Sequence, residues 1–478
     1  MRLLRHSVLY LMARAVPALL SVASLVVFTR LLNPQEYGLY ILIAAGASLA
    51  DAVLMQWMYW AIVRFSSDDT ETPEAVNQSL INAFYGILVI GGIAGVVASF
   101  LFTSTIQPVL IWAGYLFFAT HGWYSLHLQT ARADLRPGHF GLLEGLRSVL
   151  GFAAALLFIL LGWGAAGLLL GLSIGRILPT LFYPQRRWYA FPAKGGAMRK
   201  ILKFGLPLGI STALGFVINL SDRIIIGAML GEAAAGLYGA GYDLVLRAMV
   251  ALMTVLNLAS YPLVVKSLEE GGRERAIELL RSYFTLFLIV AGGFALGLGL
   301  LSEELANLLL GESFREAAIK LIPVAALGVF LSGLRSFYFN YSFQLSKRTI
   351  DQLWVTLPPA LLDILLVIRW VPEYGIQGAI YASALSFGLA LLLSILLGRR
   401  GFVMPVPGWD TIKTAGILSV WSGVLIVTSS WEGIPLLILR LMLGLLGAGS
   451  VFMATNPAGM RTALIRAIQR QAGGRTDG

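Results

Sequence analysis

The chain has 478 residues, 58% of them hydrophobic and 13% charged, with a mean hydropathy of +0.79; no soluble core hides that much apolar surface, which leaves a polytopic membrane protein. The net charge of +10 is spread over loops and not gathered into a basic domain, so nucleic acid is not an expected partner. Cysteine is absent, which excludes disulfides and thiol chemistry.

From the N-terminus, the segment from about 8 to 28 contains Arg14 and Pro17 and is long for a secretory leader, so it reads as the first spanning helix. Apolar runs of spanning length follow at 37–62, 79–103, 106–130, 143–162, 165–183, 204–228 and 236–264, then at 281–301, 318–343, 352–370, 376–397, 412–429 and 434–455. With the first segment they predict about fourteen transmembrane helices and an all-α integral membrane protein. Strands are excluded because the runs lack period-two alternation and exceed a barrel strand's roughly ten residues.

Orientation follows from charge. Most Lys and Arg fall on the side of the two chain ends, while the opposite side holds Arg30, Arg315, Lys320, Arg369 and Arg440. Both termini are therefore expected in the cytoplasm.

Two internal echoes suggest duplication. Leu31 to Tyr40 reads L-L-N-P-Q-E-Y-G-L-Y and Met229 to Tyr238 reads M-L-G-E-A-A-A-G-L-Y, so that Leu32, Gly38, Leu39 and Tyr40 fall on Leu230, Gly236, Leu237 and Tyr238 without a gap. More weakly, Gly164-Ala-Ala-Gly167 matches Gly375-Ile-Gln-Gly378. Both echoes join odd to even helices on one face, which predicts two pseudo-symmetric six-helix bundles in parallel orientation with two helices appended. The boundaries expected are 1–190 for the first bundle, 191–203 for a basic cytoplasmic linker, 204–400 for the second bundle, 401–457 for the appended pair and 458–478 for a basic tail. The stretch 183–203, rich in aromatic and basic residues, and the tail both read as amphipathic strips lying on the cytoplasmic leaflet.

Charges within spans are expensive and normally face a bundle interior or a wet cavity. Arg14, Arg223, Arg247 and Arg335 lie deep in their runs, and a planar guanidinium suits a phosphate, so these are candidate cavity cations for a phosphorylated anion. Structural pairing is the competing reading, because Asp243 and Arg247 are four apart and Glu144 and Arg147 three apart. Arg147 and Arg176, near helix ends, read as snorkelling cations. Tyr238, Tyr242, Tyr338 and Tyr341 are candidate sugar-stacking rings. Trp57, Tyr59, Trp60, Trp188, Trp370, Trp409 and Trp431 fit an interfacial aromatic belt. No Walker loop, G-x-S-x-G or metal-spaced His pair occurs, and His121 and His127 are six apart on different faces; no enzyme activity, metal or cofactor is expected.

The segments T-R-L-L-N-P-Q-E-Y-G-L-Y (Thr29 to Tyr40), S-D-R-I-I-I-G-A-M-L-G-E-A-A-A-G-L-Y (Ser221 to Tyr238), L-L-L-G-E-S-F-R-E-A (Leu308 to Ala317) and P-E-Y-G-I-Q-G-A (Pro372 to Ala379) resemble the polysaccharide-transporter family, the Wzx-type flippases of lipid-linked sugar repeat units. The resemblance implies the fold of the multidrug/oligosaccharidyl-lipid/polysaccharide exporter superfamily, two bundles in a MATE-like V around a cavity. It implies movement of an undecaprenyl-diphosphate-linked oligosaccharide from the cytoplasmic to the periplasmic leaflet of the bacterial inner membrane, for O-antigen or exopolysaccharide assembly. Other polysaccharide assembly proteins and membrane lipids are the implied partners. Coupling to H+ or Na+ is implied as well, with Asp51, Asp222, Asp243 and Asp363 as candidate carboxylates. A peptidoglycan-precursor flippase, a cation-coupled multidrug exporter and a membrane glycan polymerase or ligase are the alternatives.

Overall fold

The computed structural model describes residues 2–65, 73–101, 107–134, 136–185, 188, 196–346, 348, 351–431 and 433–459, without the side chains of 2–15, 137, 207, 211, 214–219 and 259. Linker residues 191–195 and the tail from 460 onward lie outside the described residues. No strand occurs among those described. The helices are α1 (Arg2–Leu31), α2 (Pro34–Leu54), α3 (Gln56–Phe65), α4 (Pro73–Leu101), α5 (Pro108–Ala133), α6 (Pro137–Leu160), α7 (Gly164–Phe182), α8 (Met198–Leu230) and α9 (Glu232–Phe287). They continue as α10 (Gly293–Leu300), α11 (Ser302–Leu309), α12 (Glu312–Leu334), α13 (Tyr341–Leu345), α14 (Asp351–Tyr374), α15 (Ile376–Gly398), α16 (Gly408–Val427) and α17 (Ile434–Thr455).

Each apolar run read from the sequence has its helix. Among the described residues, ten helical stretches are long and apolar enough to cross a membrane, and one of them, the 69-residue stretch Glu232–Leu300, has length for two crossings. Left-handed Gly272 (φ 73) breaks α9 between them. Two π-helical turns, Leu288–Gly292 and Arg335–Phe339, interrupt the α geometry ahead of α10 and α13.

The chain divides into two compact units. The first comprises Met1–Ala240 with Leu310–Phe314 and Val371–Ile376; the second comprises Gly241–Leu309, Arg315–Trp370 and Gln377–Gly478. In the first unit α6 and α7 cross backbone to backbone: a Cβ on Gly175 would overlap Gly151 and come within 2.7 Å of the Arg147 carbonyl oxygen. Membrane helices lack a hydrophobic drive to associate, and such small-residue crossings supply close van der Waals packing instead. A second core gathers Met58, Leu80, Phe84, Leu126 and Ile201 around Trp188. Trp188 is 1% exposed and its indole N–H donates to Thr130 Oγ1 at 3.1 Å. The belt reading fails for this residue and for Trp57 and Tyr59, which are also buried. A ring with one polar atom serves a helix interior as well as an interface once a hydroxyl or carboxylate meets that atom.

In the second unit the appended helices are held by polar ties. The indole of Trp421 on α16 donates to the Gly293 carbonyl at 3.1 Å. Arg440 on α17 is 1% exposed, pairs with Glu304 on α11 and donates to the Leu425 carbonyl at 3.1 Å.

Candidate functional site

The first unit contains a polar cluster drawn from five helices. Asp51 on α2 is 5% exposed; one carboxylate oxygen accepts the Tyr59 hydroxyl from α3 at 2.6 Å, and the other lies 3.6 Å from His121 Nε2 on α5. Arg176 on α7 stacks over the Phe117 ring at 3.8 Å and donates to the Phe117 carbonyl at 3.1 Å, within electrostatic range of Asp51. On α6, Arg147 pairs with Glu144 at 3.0 Å, and Glu144 also accepts the Tyr124 hydroxyl at 3.0 Å. The i,i+3 pair was legible from its spacing. The snorkelling expectation for Arg176 is overturned: it is 9% exposed, because a cation–π face and a carbonyl meet its guanidinium inside the unit. The convergence of Tyr59, His121, Tyr124 and Arg176 with Asp51 and Glu144 escaped the sequence reading because the groups come from five helices, and no local spacing announces that.

Asp222, on α8, is 7% exposed and accepts the Tyr238 hydroxyl from α9 at 2.8 Å. Two residues singled out for different roles, a carboxylate for ion coupling and a ring for sugar, are thus joined in one hydrogen bond. Arg223 lies part-buried beside them. The side chain of Arg14 lies outside the described residues.

In the second unit, Asp243 and Arg247 on α9 form the i,i+4 ion pair expected from their spacing, at 3.1 Å, with Tyr242 buried beside Asp243. Asp363 on α14 is 4% exposed. Tyr338 and Tyr341 are buried, with hydroxyls on the Pro405 carbonyl and on Asn257. Tyr338 packs against Phe284 at 4.8 Å, and Tyr341 stacks on Tyr283 at 6.1 Å. Both rings, sugar-stacking candidates from the sequence, therefore have core partners. Arg335 opens the π turn. It is part-buried, its Nε atom is buried without a hydrogen bond, and no carboxylate among the described residues lies within ion-pair distance.

The Asp51 cluster gives a direct prediction. Tyr59→Phe keeps the ring and removes the hydroxyl that donates to that Asp51 oxygen, so it should destabilise the protein by about 1–3 kcal/mol. A thermal-unfolding double-mutant cycle with Asp51→Asn should give less than the sum of the two single effects.

Long apolar helices with charges buried among them define an all-α integral membrane protein. A family model described as "Polysaccharide biosynthesis protein" matches residues 27–337, and the chain belongs to this family. It is 21% identical over 278 residues to the amylovoran biosynthesis protein AmsL of Erwinia amylovora, covering 56% of this chain and 69% of that one. It is 24% identical over 236 residues to the probable multidrug resistance protein YpnP of Bacillus subtilis, covering 45% of this chain and spanning 50% of that relative's length. Among solved structures, the lipid II flippase MurJ in an inward closed conformation superposes with a TM-score of 0.77 at 15% identity, covering 95% of this chain and 100% of that one. An inward-facing MATE-family multidrug transporter gives 0.52 at 17% identity, covering 82% and 97%. At these identities the structures establish a shared fold.

Proposed function

We propose that the protein translocates undecaprenyl-diphosphate-linked oligosaccharide repeat units from the cytoplasmic to the periplasmic leaflet of the bacterial inner membrane, for surface polysaccharide assembly. The observation that carries this reading is Arg335: a part-buried guanidinium with no carboxylate in reach among the described residues is a standing demand for an anion, and a diphosphate meets it with paired oxygens. Family membership supports a lipid-linked glycan as the carrier of that anion. On this reading the bundles 1–190 and 204–400 alternate access to the head group, while the polyprenyl tail stays in lipid. Arg14, Arg223 and Arg247 supply further positive charge, with Arg247 partly neutralised by Asp243. Tyr238, whose hydroxyl is held by Asp222, and Tyr242 are the sugar-facing candidates of this reading. Exchange of H+ or Na+ at one of Asp51, Asp222, Asp243 or Asp363 supplies the drive, since a carrier without a gradient only equilibrates its substrate. The reaction breaks no covalent bond, so no catalytic residue is required.

The test is the leaflet in which lipid-linked repeat units pool when the protein is absent, read with an impermeant sugar-modifying enzyme. Single repeat units trapped on the cytoplasmic leaflet are expected. A pool on the periplasmic leaflet overturns the proposal in favour of a polymerase or ligase, and no pool at all favours export of small molecules, as the similarity to a multidrug resistance protein suggests.

A further inference from the structure

The π turn at Arg335 brings two side-chain amides to that arginine. A π turn closes from residue i to i+5, and the Asn340 N–H donates to the Arg335 carbonyl at 2.8 Å, so Asn340 stands one turn further along and close to the same face. Helix α9 runs alongside. A Cβ on Gly333 would overlap Met253 Sδ; one turn on, Asn257 Oδ1 accepts the Tyr341 hydroxyl; a further turn on, the Tyr261 ring lies 4.8 Å from the Tyr341 ring. Arg335, Asn257 and Asn340 are each part-buried. A guanidinium and two amides are costly to turn toward lipid, so their open sides border a wet space within the second unit.

Each amide is held by its carbonyl. Buried Tyr341 donates to Asn257 Oδ1, and buried Ser394 on α15 donates to Asn340 Oδ1 at 2.9 Å. An amide whose oxygen is tied back in this way turns its two N–H donors outward. No group among the described residues accepts from either amide nitrogen, and neither nitrogen is sealed from solvent. With Arg335, whose side chain has donors alone, the three offer hydrogen bonds outward and take none. We propose that Asn257 and Asn340 read the glycan, selecting a head group with an sp2 oxygen, an amide carbonyl or a carboxylate, on the sugar next to the diphosphate. The inference rests on the transport reading, in which Arg335 holds that diphosphate. A sugar joined through its anomeric carbon carries its neighbouring substituents within roughly one helical turn, about 5 Å, of the phosphate, which is the offset from Arg335 to Asn340. A sugar hydroxyl can accept as well, but its own proton then needs an acceptor, and these three side chains supply none. An sp2 oxygen takes two donors without that cost. Tyr341 and Ser394 act through the amides and are positioning residues.

The test is equilibrium binding to the purified full-length protein. The probes are farnesyl diphosphate alone and farnesyl diphosphate carrying glucose, N-acetylglucosamine or glucuronic acid. We expect the N-acetylglucosaminyl or the glucuronosyl probe to bind about tenfold tighter than the glucosyl probe. Tighter binding of the first names a carbonyl as the acceptor, and tighter binding of the second names a carboxylate. Asn257→Leu and Asn340→Leu remove the donors without adding charge, so each should erase most of that preference while farnesyl diphosphate alone keeps its affinity to within about twofold. Tyr341→Phe and Ser394→Ala free the amides to turn and should narrow the preference in the same way, whereas a merely structural role would weaken all four probes alike. The parental comparison needs no variant to fold. Equal parental binding of the three glycosylated probes overturns the assignment, as does a preference that survives both Leu variants. If the sugars bind alike while farnesyl diphosphate is held, only the asparagine assignment falls. If farnesyl diphosphate is not bound, the transport reading falls with it.

Discussion

Replacing Arg335 with Ala is expected to abolish most transport while leaving the fold as stable as before, or more so. The two effects separate because the guanidinium has no carboxylate partner among the described residues and one of its donors is buried without a hydrogen bond. In the resting protein it contributes a desolvation cost and little compensation, so its removal relieves strain on stability. In the loaded protein it would hold an anionic head group by charge-assisted hydrogen bonds, each worth about 1.5–3 kcal/mol. Loss of one such contact corresponds to about ten- to hundredfold in translocation, measured in vesicles carrying lipid-linked oligosaccharide. Arg335→Lys keeps the charge without the fork and should fall between. A variant that unfolds at lower temperature yet transports at the parental rate would make Arg335 a structural residue.

Replacing Arg440 with Ala is expected to do the reverse. This side chain is 1% exposed and bridges α17 to Glu304 on α11 and to the Leu425 carbonyl. Removing one partner of a buried ion pair leaves the other uncompensated and typically costs about 3–5 kcal/mol; the Glu304 side chain is 28% exposed, so the lower end applies. The thermal-unfolding midpoint should drop by several degrees. Arg440→Met, which fills similar volume without charge, should cost as much or nearly so if Glu304 stays buried, and a paired Glu304→Gln substitution should recover part of the loss.

The sequence reading located the helices because hydropathy is a local property, and a run of apolar residues must become a helix in lipid to satisfy its own backbone. It also found the pairs set by helical spacing, Glu144 with Arg147 and Asp243 with Arg247. It missed the break at Met55 between α2 and α3 and the π turn that begins at Arg335, since neither contains a proline and both depend on what packs alongside. That turn matters for Tyr338 and Tyr341, whose direction cannot be counted from Arg335 at 3.6 residues per turn once an extra residue enters the helix. Arg176 was misread for a related reason. Position along a helix says how far a side chain is from water, but only the neighbouring helix reveals that Phe117 offers a ring and a carbonyl to receive it.

The Arg440 tie also bears on the order in which the chain is built. Helices enter the bilayer as they are synthesised, and an arginine costs about 2.5–3.5 kcal/mol at the centre of an inserting helix by insertion scales and less toward its end, where Arg440 lies about two turns into α17. Glu304 precedes Arg440 by 136 residues, so its carboxylate is already in the membrane when α17 arrives. The last hairpin then does not need to insert as an independent apolar unit; it can be admitted by a partner waiting in the part already folded. Truncation before α16 would leave that acid without its cation, and α17 supplied alone would arrive with a charge and nowhere to put it.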